Sequence, residues 1–465
     1  MTGQKADPGA TRADLSRPRR IHLVGIGGAG MSGIARVLIE GRHVVSGSDM
    51  RDGRVLDELR VMGADVTVGH DAGHVGDAEI VVASSAVPDS NPELNAAREQ
   101  GRQVLTRAQM LGSLADGRTG IMIAGTHGKT TVTSMTVVAL QAVGLDPGFV
   151  IGGHLNEVGT NAHAGTDSQF VAEADESDRS LLEYEPSIAV VTNVELDHPD
   201  EFADEQAVAD VFAQFLDRRQ PDGVAILCID DPGAAGLRAT ARSPVVTYGT
   251  SPDAGVRLLA GTRSHVVEIH GSGPVDLALS VPGRHNLLNA TAALAVTAAL
   301  GADVRRAAAG LHAFQGAARR FQVVGSVNEI TVVDDYAHHP TEVLATIGAA
   351  RERAPKRIIA IVQPHRYSRT AVLGEALGRA AATADVVVVT DVYGSGEAPQ
   401  PGVTGKLVAD GAAATGTPTT WTPHLSDVPD VVAELAAPGD LLLLMGAGDI
   451  TSLGPALVER LAVHA

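Results

Sequence analysis

The sequence predicts an α/β protein of three domains, each organised on a mostly parallel sheet, and three observations carry that expectation. The chain has 465 residues, about three domains at roughly 150 residues each. Short apolar runs alternate with amphipathic stretches along most of it, the pattern of parallel strands joined by right-handed helical crossovers. Two glycine-rich loops each follow an apolar run and precede a helical stretch.

Met1 to Arg20 carries charges and prolines without an apolar run, so it reads as a disordered tail and not a signal peptide. The first domain, 21–117, has strands at Ile21 to Val24, Val44 to Ser46, Ala64 to Val68 and Ile80 to Ser84, with Ala115-Asp116-Gly117-Arg118 as its boundary. The second, 118–318, starts at Ile121 to Ala124 and continues through Ser187 to Val191 and Val224 to Ile229. Between Val256 and Pro282 it alternates as a hairpin about Gly271-Ser272-Gly273-Pro274, and a helix over Asn286 to Leu300 follows. The third, 319–465, has strands at Thr331 to Asp334, Ile358 to Val362, Val386 to Thr390 and Leu441 to Leu444. No short-period repeat or low-complexity segment interrupts them.

Composition narrows the function classes. Lys plus Arg number 36 against 55 Asp plus Glu, a net charge of −19, which repels phosphate backbones and argues against nucleic acid as a partner. Glycine is abundant, 52 residues, and aromatics are 3%, a balance that suits the tight turns of nucleotide-binding α/β domains. The single Cys228 excludes an intrachain disulfide and reads as a small buried hydrophobe. No apolar stretch approaches the roughly 18 residues of a membrane span, so a cytoplasmic location is expected, without a membrane partner.

The run Gly25-Ile26-Gly27-Gly28-Ala29-Gly30 fits G-x-G-x-x-G between strand and helix, where backbone amides and the helix dipole favour a diphosphate. Asp49 stands where such folds often put a ribose-binding carboxylate. That fingerprint also fits an NAD-dependent oxidoreductase, or a plain glycine turn. The second loop is more selective: Gly125-Thr126-His127-Gly128-Lys129-Thr130-Thr131 is a shortened phosphate loop, with Lys129 for the β- and γ-phosphates and the Thr130 hydroxyl for Mg²⁺. Lysine otherwise occurs only at positions 5, 356 and 406. A dehydrogenase leaves this loop without a job. Glu173 and His198 lie at or after probable strand ends, where ligands gather, and suit a hard cation completed by water.

Together with those loops, the runs Glu173-Ala174-Asp175-Glu176-Ser177-Asp178, Asn193-Val194-Glu195-Leu196-Asp197-His198, His285-Asn286-Leu287-Leu288-Asn289, Asp334-Asp335-Tyr336-Ala337-His338-His339-Pro340 and Gln363-Pro364-His365-Arg366-Tyr367-Ser368-Arg369 resemble the Mur ligases over nearly the whole chain. The resemblance implies a Rossmann-like UDP-binding domain, a central P-loop ATPase-type domain and a C-terminal Rossmann-like domain that closes over the site. It implies ATP-dependent joining of L-alanine to the lactyl carboxylate of UDP-N-acetylmuramic acid, through an acyl phosphate. Gly27, Gly28, Ala29, Gly30, Asp49, Ser84 and Ser85 would take the UDP-sugar. Asn289 would face adenine, Arg320 the γ-phosphate and Asp335 the ribose. Thr130, Glu173 and His198 would hold Mg²⁺. Tyr336, His338, Arg366 and Arg369 would form the pocket for alanine and the reacting carboxylate, with His338, titrating near neutrality, as the base. Residue by residue, plainer readings compete: His338 and His339 before Pro340 suit a helix cap, and Arg366 and Arg369 suit surface charges at one-turn spacing. The carbamylated lysine of several relatives has no counterpart, since no lysine lies between Lys129 and Lys356. Two further readings are a murein tripeptide ligase, which adds a preformed peptide to the same sugar nucleotide, and a non-catalytic regulator that binds UDP-sugar and ATP.

Overall fold

The computed structural model describes residues 12–155, 159–242, 244–261, 265–271 and 273–463. Three sheets account for its strands, in the α/β class the sequence predicts. The first is wholly parallel, in the order Asp65–Val68, Val44–Asp49, Arg20–Val24, Ile80–Ala83, Gln103–Thr106. Chain order reverses between Arg20–Val24 and Ile80–Ala83, the switch point outside which doubly wound sheets bind ligands. Val24, Val81 and Ala83 pack there against Leu94 and Ala97 of the helix Pro92–Glu99, which starts on Asn91, whose side chain accepts the Glu93 and Leu94 N–H groups.

The second sheet has ten strands, in the order Gly273–Leu277, His265–Ile269, Val256–Ala260, Val245–Gly249, Val224–Cys228, Ile188–Val191, Thr119–Ala124, Gln169–Glu173, Gly148–Leu155, Thr160–His163. Its middle is parallel, while the hairpin strands at one end and the pair Gly148–Leu155 and Thr160–His163 at the other are antiparallel. Six of its nine pairings are parallel, so it is the mostly parallel sheet expected, with its antiparallel pairs at the two ends. Cys228 is buried at the end of its strand, as a small hydrophobe should be. The helix Ala29–Glu40 of the first domain packs on the last two strands, where a Cβ on Gly33 would stand 3.1 Å from Val150 Cγ1. Its Glu40 shares His163 with Asp146, at 3.0 and 2.9 Å.

The third sheet runs Gln322–Val327, Ile330–Asp335, Asp440–Met445, Arg357–Val362, Val386–Val389, Thr419–Trp421. Only the first pair is antiparallel. Val333, Ile358, Ala360 and Leu443 bury one face against Ile347 and Leu377, while Ile359, Ile361 and Leu442 bury the other against Val432 and Leu457. Central strands covered on both faces read as near-continuous apolar runs, which is why these were visible in the sequence.

The chain groups into two compact units. One holds the first two sheets, with the chain up to Val194, Ala209–Ala278 and Ala290–His312; the other holds the third sheet with Glu195–Val208, Leu279–Asn289 and Ala313–Ala465. A continuous second domain of 118–318 would keep all of these segments together. Two of them are instead tied to the third sheet's unit: Asp197 pairs with Arg369, and the Gly283 N–H donates to Glu352 at 2.9 Å.

Candidate functional site

The phosphate loop forms because the strand Thr119–Ala124 ends in a glycine that nothing else can replace. Gly125 has φ +129°, and a Cβ there would lie 2.0 Å from Thr192 Oγ1. Gly128 adopts the left-handed conformation at the cap of the helix Lys129–Ala142. Between them the loop is stitched to the end of the neighbouring strand. The Thr126 N–H donates to the Asn193 carbonyl (3.1 Å), the His127 N–H to Asn193 Oδ1 (2.8 Å), and Thr192 Oγ1 to the His127 carbonyl (2.6 Å). Asn193 thus templates the loop, a role the sequence reading did not give it.

Lys129 is drawn into this loop. Its Nζ donates to the carbonyls of Gly125 (2.7 Å) and Thr126 (3.3 Å) and to both oxygens of Glu176, at 3.0 and 2.8 Å. Burial works against the ammonium, but the nearby charges of Glu176, Asp175 and Glu173 outweigh it, and Lys129 is held protonated with its pKa raised. Glu176, fully buried, is pushed up to about 7 by burial against the pull of Lys129. Glu173 ends its strand as expected: Oε1 accepts the Gly152 N–H (2.7 Å) and Oε2 accepts the Thr130 hydroxyl (3.1 Å). A hydroxyl and a carboxylate in contact are the oxygen donors that a hard divalent cation takes.

The first glycine loop lies in the same unit. Gly25 and Ile26 donate to the Ser48 carbonyl at 2.8 and 3.0 Å, and the Gly27 N–H donates to Asp49 Oδ2 at 2.9 Å. Asp49, expected on a ribose, therefore also fixes the loop. Gly28 caps the helix Ala29–Glu40 with no side-chain hydrogen bond. Ser84 joins the same edge, its N–H donating to Val24 at 3.1 Å, and Ser85 is exposed beside it.

The remaining expected residues belong to the other unit. Asp335 is buried, Oδ2 accepting from Phe321 N–H (2.7 Å) and Oδ1 from Ala337 N–H (2.8 Å); burial raises its pKa to about 6 against the pull of Arg320. It thus holds its own loop, and any ribose contact must share those oxygens. The guanidinium groups of Arg319 and Arg320 lie 5.1 and 5.0 Å from the Tyr336 ring centroid. Asn289, half-buried on the helix Arg284–Ala299, reaches Asn286 Oδ1 at 3.5 Å. His339 proves to be a cap, its Nδ1 accepting the Thr341 N–H at 3.3 Å ahead of Pro340. His198 has a left-handed backbone, φ +54°, and its Nε2 lies 3.6 Å from Asp197.

Two expectations change here. Arg369 does not present a free fork: Nε and Nη2 donate to Asp197 at 2.6 and 3.0 Å, Nη1 donates to His365 Nδ1 at 3.1 Å, and the residue is 4% exposed. A guanidinium spent on an internal carboxylate is a strut for this pocket, neither a clamp nor a surface charge. His338 does not titrate near neutrality. Burial, helped by Arg369 and opposed by Glu342, pushes it down to about 4. Its Nδ1 donates to the Tyr336 carbonyl at 3.0 Å, which leaves Nε2 as the acceptor. Burial likewise takes His365 down to about 3, and Asp197 is held well below the carboxylate range because Arg369 outweighs its burial.

Arg366 differs from Arg369 in each of these respects. It caps the helix Tyr367–Ala381 at φ +66° and ψ 139°, a strained backbone for a residue with a side chain. Its Nη1 reaches Asp200 at 2.8 Å and Glu397 at 3.9 Å, and it is partly exposed. Among the described residues, none accepts a hydrogen bond from its Nε or Nη2.

A doubly wound sheet with a glycine loop, followed by a phosphate loop with its lysine seated, defines a multidomain nucleotide-binding α/β enzyme. Family comparison agrees segment by segment: "Mur ligase family, catalytic domain" matches residues 20–119, "Mur ligase middle domain" 123–297 and "Mur ligase, glutamate ligase domain" 319–448. The chain belongs to the Mur ligase family. It is 51% identical to a UDP-N-acetylmuramate–L-alanine ligase of Acidothermus cellulolyticus, over 96% of this chain and 95% of that protein. Among solved structures it is similar to the UDP-N-acetylmuramate-alanine ligase of Thermotoga maritima, with a TM-score of 0.78 and 29% identity over 96% of this chain and all of that one. A murein peptide ligase of Psychrobacter arcticus shares the fold, with a TM-score of 0.70 and 24% identity over 96% of this chain and 99% of that one.

Proposed function

We propose that this chain joins L-alanine to the lactyl carboxylate of UDP-N-acetylmuramic acid, consuming ATP and releasing ADP and phosphate, in the cytoplasmic synthesis of peptidoglycan precursors. The observation that carries the reading is an intact phosphate loop, Lys129 on its carbonyls, in a chain that matches ligases of that name over nearly its whole length. The three sheets correspond to domains for the UDP-sugar, for ATP and for the amino acid.

A carboxylate and an amine do not condense in water unless the carboxylate is activated. ATP converts it to an acyl phosphate, a step in which two anions approach, and Lys129 and Arg320 supply the cationic charge that the transferring phosphoryl group needs. Asn289 and Asp335 are assigned to adenine and ribose. Thr130 and Glu173 are assigned to Mg²⁺, which when bound neutralises phosphate charge. Arg366, with Nε and Nη2 to spare, holds the alanine carboxylate, while Arg369 fixes Asp197 and His365 behind it. Neutral His338 offers Nε2 to the incoming amine as a hydrogen-bond acceptor, a smaller task than the full proton transfer first assigned to it.

ADP release measured with UDP-N-acetylmuramic acid and a panel of acceptors tests the reading. Free L-alanine should give the highest kcat/KM, with glycine and L-serine weaker, since one methyl-sized difference in a small pocket is worth about 1–3 kcal/mol. A preference for L-alanyl-γ-D-glutamyl-diaminopimelate would transfer the assignment to a recycling ligase. Binding of the sugar nucleotide and ATP without ADP release would make the chain a regulator.

A further inference from the structure

Every donor of the Lys129 ammonium is already committed. An ammonium has three N–H groups, and Nζ faces four acceptors: the carbonyls of Gly125 and Thr126, at 2.7 and 3.3 Å, and Glu176 Oε1 and Oε2, at 3.0 and 2.8 Å. A phosphate oxygen joins them only if one lets go. The two carbonyls belong to the phosphate loop, which Asn193 holds in shape through the Thr126 and His127 N–H groups. Glu176 comes from another segment, and no role assigned above uses it.

The two sides of this lysine differ. The Glu176 side chain is 1% exposed and that of Lys129 is 16% exposed, so the ammonium stands between a buried carboxylate and a side open to a ligand. Glu176 lies in the turn between the strand Gln169–Glu173 and the short helical turn Ser180–Glu183, with its own carbonyl accepting the Arg179 N–H at 3.0 Å. That bond holds the backbone, so the pair parts by side-chain rotation alone. Opening a buried pair is usually costly, but this one is weaker than Arg369 with Asp197. There, against burial, the arginine holds the aspartate well below the carboxylate range. Here burial outweighs the cation and takes Glu176 up to about 7. Nor is Lys129 stranded when the pair parts, because Asp175 and Glu173 also act on its charge.

We propose that Glu176 is a positioning residue that competes with the nucleotide for Lys129: it seats the ammonium in the loop, and a phosphate of the nucleotide takes its place. Two carboxylate oxygens on one ammonium present the same charge and the same pair of acceptors as the edge of a phosphate. Such an internal competitor lowers the apparent affinity in proportion to the fraction of molecules in which the lysine is free. The inference deepens the proposed function and rests on its assignment of ATP to this loop.

Calorimetric titration of ATP, ADP and AMP, each with Mg²⁺, into parent, Glu176→Gln and Glu176→Asp tests it. Glu176→Gln keeps one acceptor oxygen and loses the charge, and should bind ATP and ADP about 5- to 150-fold more tightly, the usual span of a coupling between two binding events. AMP ends before the phosphates that Lys129 meets and should gain nothing from the substitution. Glu176→Asp keeps the charge on a shorter stem and should fall between parent and Glu176→Gln. In turnover, KM for ATP should fall in Glu176→Gln while KM for the sugar nucleotide stays within about three-fold of the parent, a split that a merely structural glutamate would not give. Parent-like or weaker ATP binding by a Glu176→Gln variant that melts like the parent overturns the inference, as does an equal gain for AMP. Should Glu176→Gln not fold, parent-like or weaker ATP binding by Glu176→Asp overturns it. A parent that binds none of the three nucleotides overturns the assignment of ATP to the loop instead.

Discussion

Arg369→Leu should destabilise the unit that carries the third sheet by about 3–5 kcal/mol, the usual result of stripping one partner from a buried ion pair. Asp197 would lose the donors that reach it at 2.6 and 3.0 Å while staying 95% buried, since its side chain is 5% exposed. The stranded carboxylate has one escape, which is to take up a proton. With the cation gone, burial alone raises its pKa above the usual range, so the penalty should be small near pH 5 and grow as the pH rises toward 8. Asp197→Leu combined with Arg369→Leu removes both charges and should recover most of the loss. The single Trp421 lies on a strand of this sheet and is 39% exposed, so its fluorescence during urea unfolding reports on this unit. A parallel thermal melt should drop by roughly 10 °C, at about 2–4 °C per kcal/mol for a unit of this size. If Arg369→Leu unfolds like the parent and only the KM for alanine rises, Arg369 is a substrate clamp after all and the strut assignment fails.

Two other outcomes follow from the same geometry. Lys129→Ala should fold but lose on the order of 10³-fold or more in ADP formation, because Lys129 supplies charge that matters most in the transition state; retention within ten-fold in a steady-state assay would remove the phosphate-loop assignment. Stability should fall as the pH drops from about 6.5 toward 4, because His285 and His338 (both pushed down to about 4) and His365 (down to about 3) stay neutral in the fold while the unfolded chain protonates them. Asp335, raised to about 6, and Glu176, pushed up to about 7, work in the opposite direction as the pH falls through those values and partly offset them. Melting temperatures across pH 7 to 4 check the net sign, and removing His285 by His285→Gln should flatten the slope.

What the sequence discloses is what local chemistry dictates. The strands Thr119–Ala124, Arg357–Val362 and Asp440–Met445 sit mid-sheet, buried on both faces, and so announce themselves as apolar runs. The phosphate loop is legible because glycine, lysine and threonine at fixed spacing have few other uses after a strand. Gln103–Thr106 and Thr160–His163 are four residues each at sheet edges, and Gly148–Leu155 carries three glycines, so no period of two stands out and they were missed. Whether a histidine titrates near 7 or near 4 depends on what buries it, and the burial of His338 comes from residues far along the chain.

Arg366, which caps the helix Tyr367–Ala381, and Arg369 in its first turn show where sequence reasoning stops and geometry takes over. Three residues apart, they present alike in the sequence, and one-turn spacing puts them on neighbouring positions of one face. Nothing local separates a charge kept for a ligand from a charge consumed by the fold. The distinction lies in Asp197, 172 positions away from Arg369, which takes Nε and Nη2 of one guanidinium in a dry environment. A buried bidentate pair is too costly to open for each substrate molecule, so that charge is not on offer. Arg366 sits on the strained backbone instead, partly exposed and held by Asp200 through Nη1 alone at 2.8 Å. Strain of this kind persists only where the surroundings enforce it, and here it aims an incompletely satisfied guanidinium while Arg369 anchors the helix beneath it.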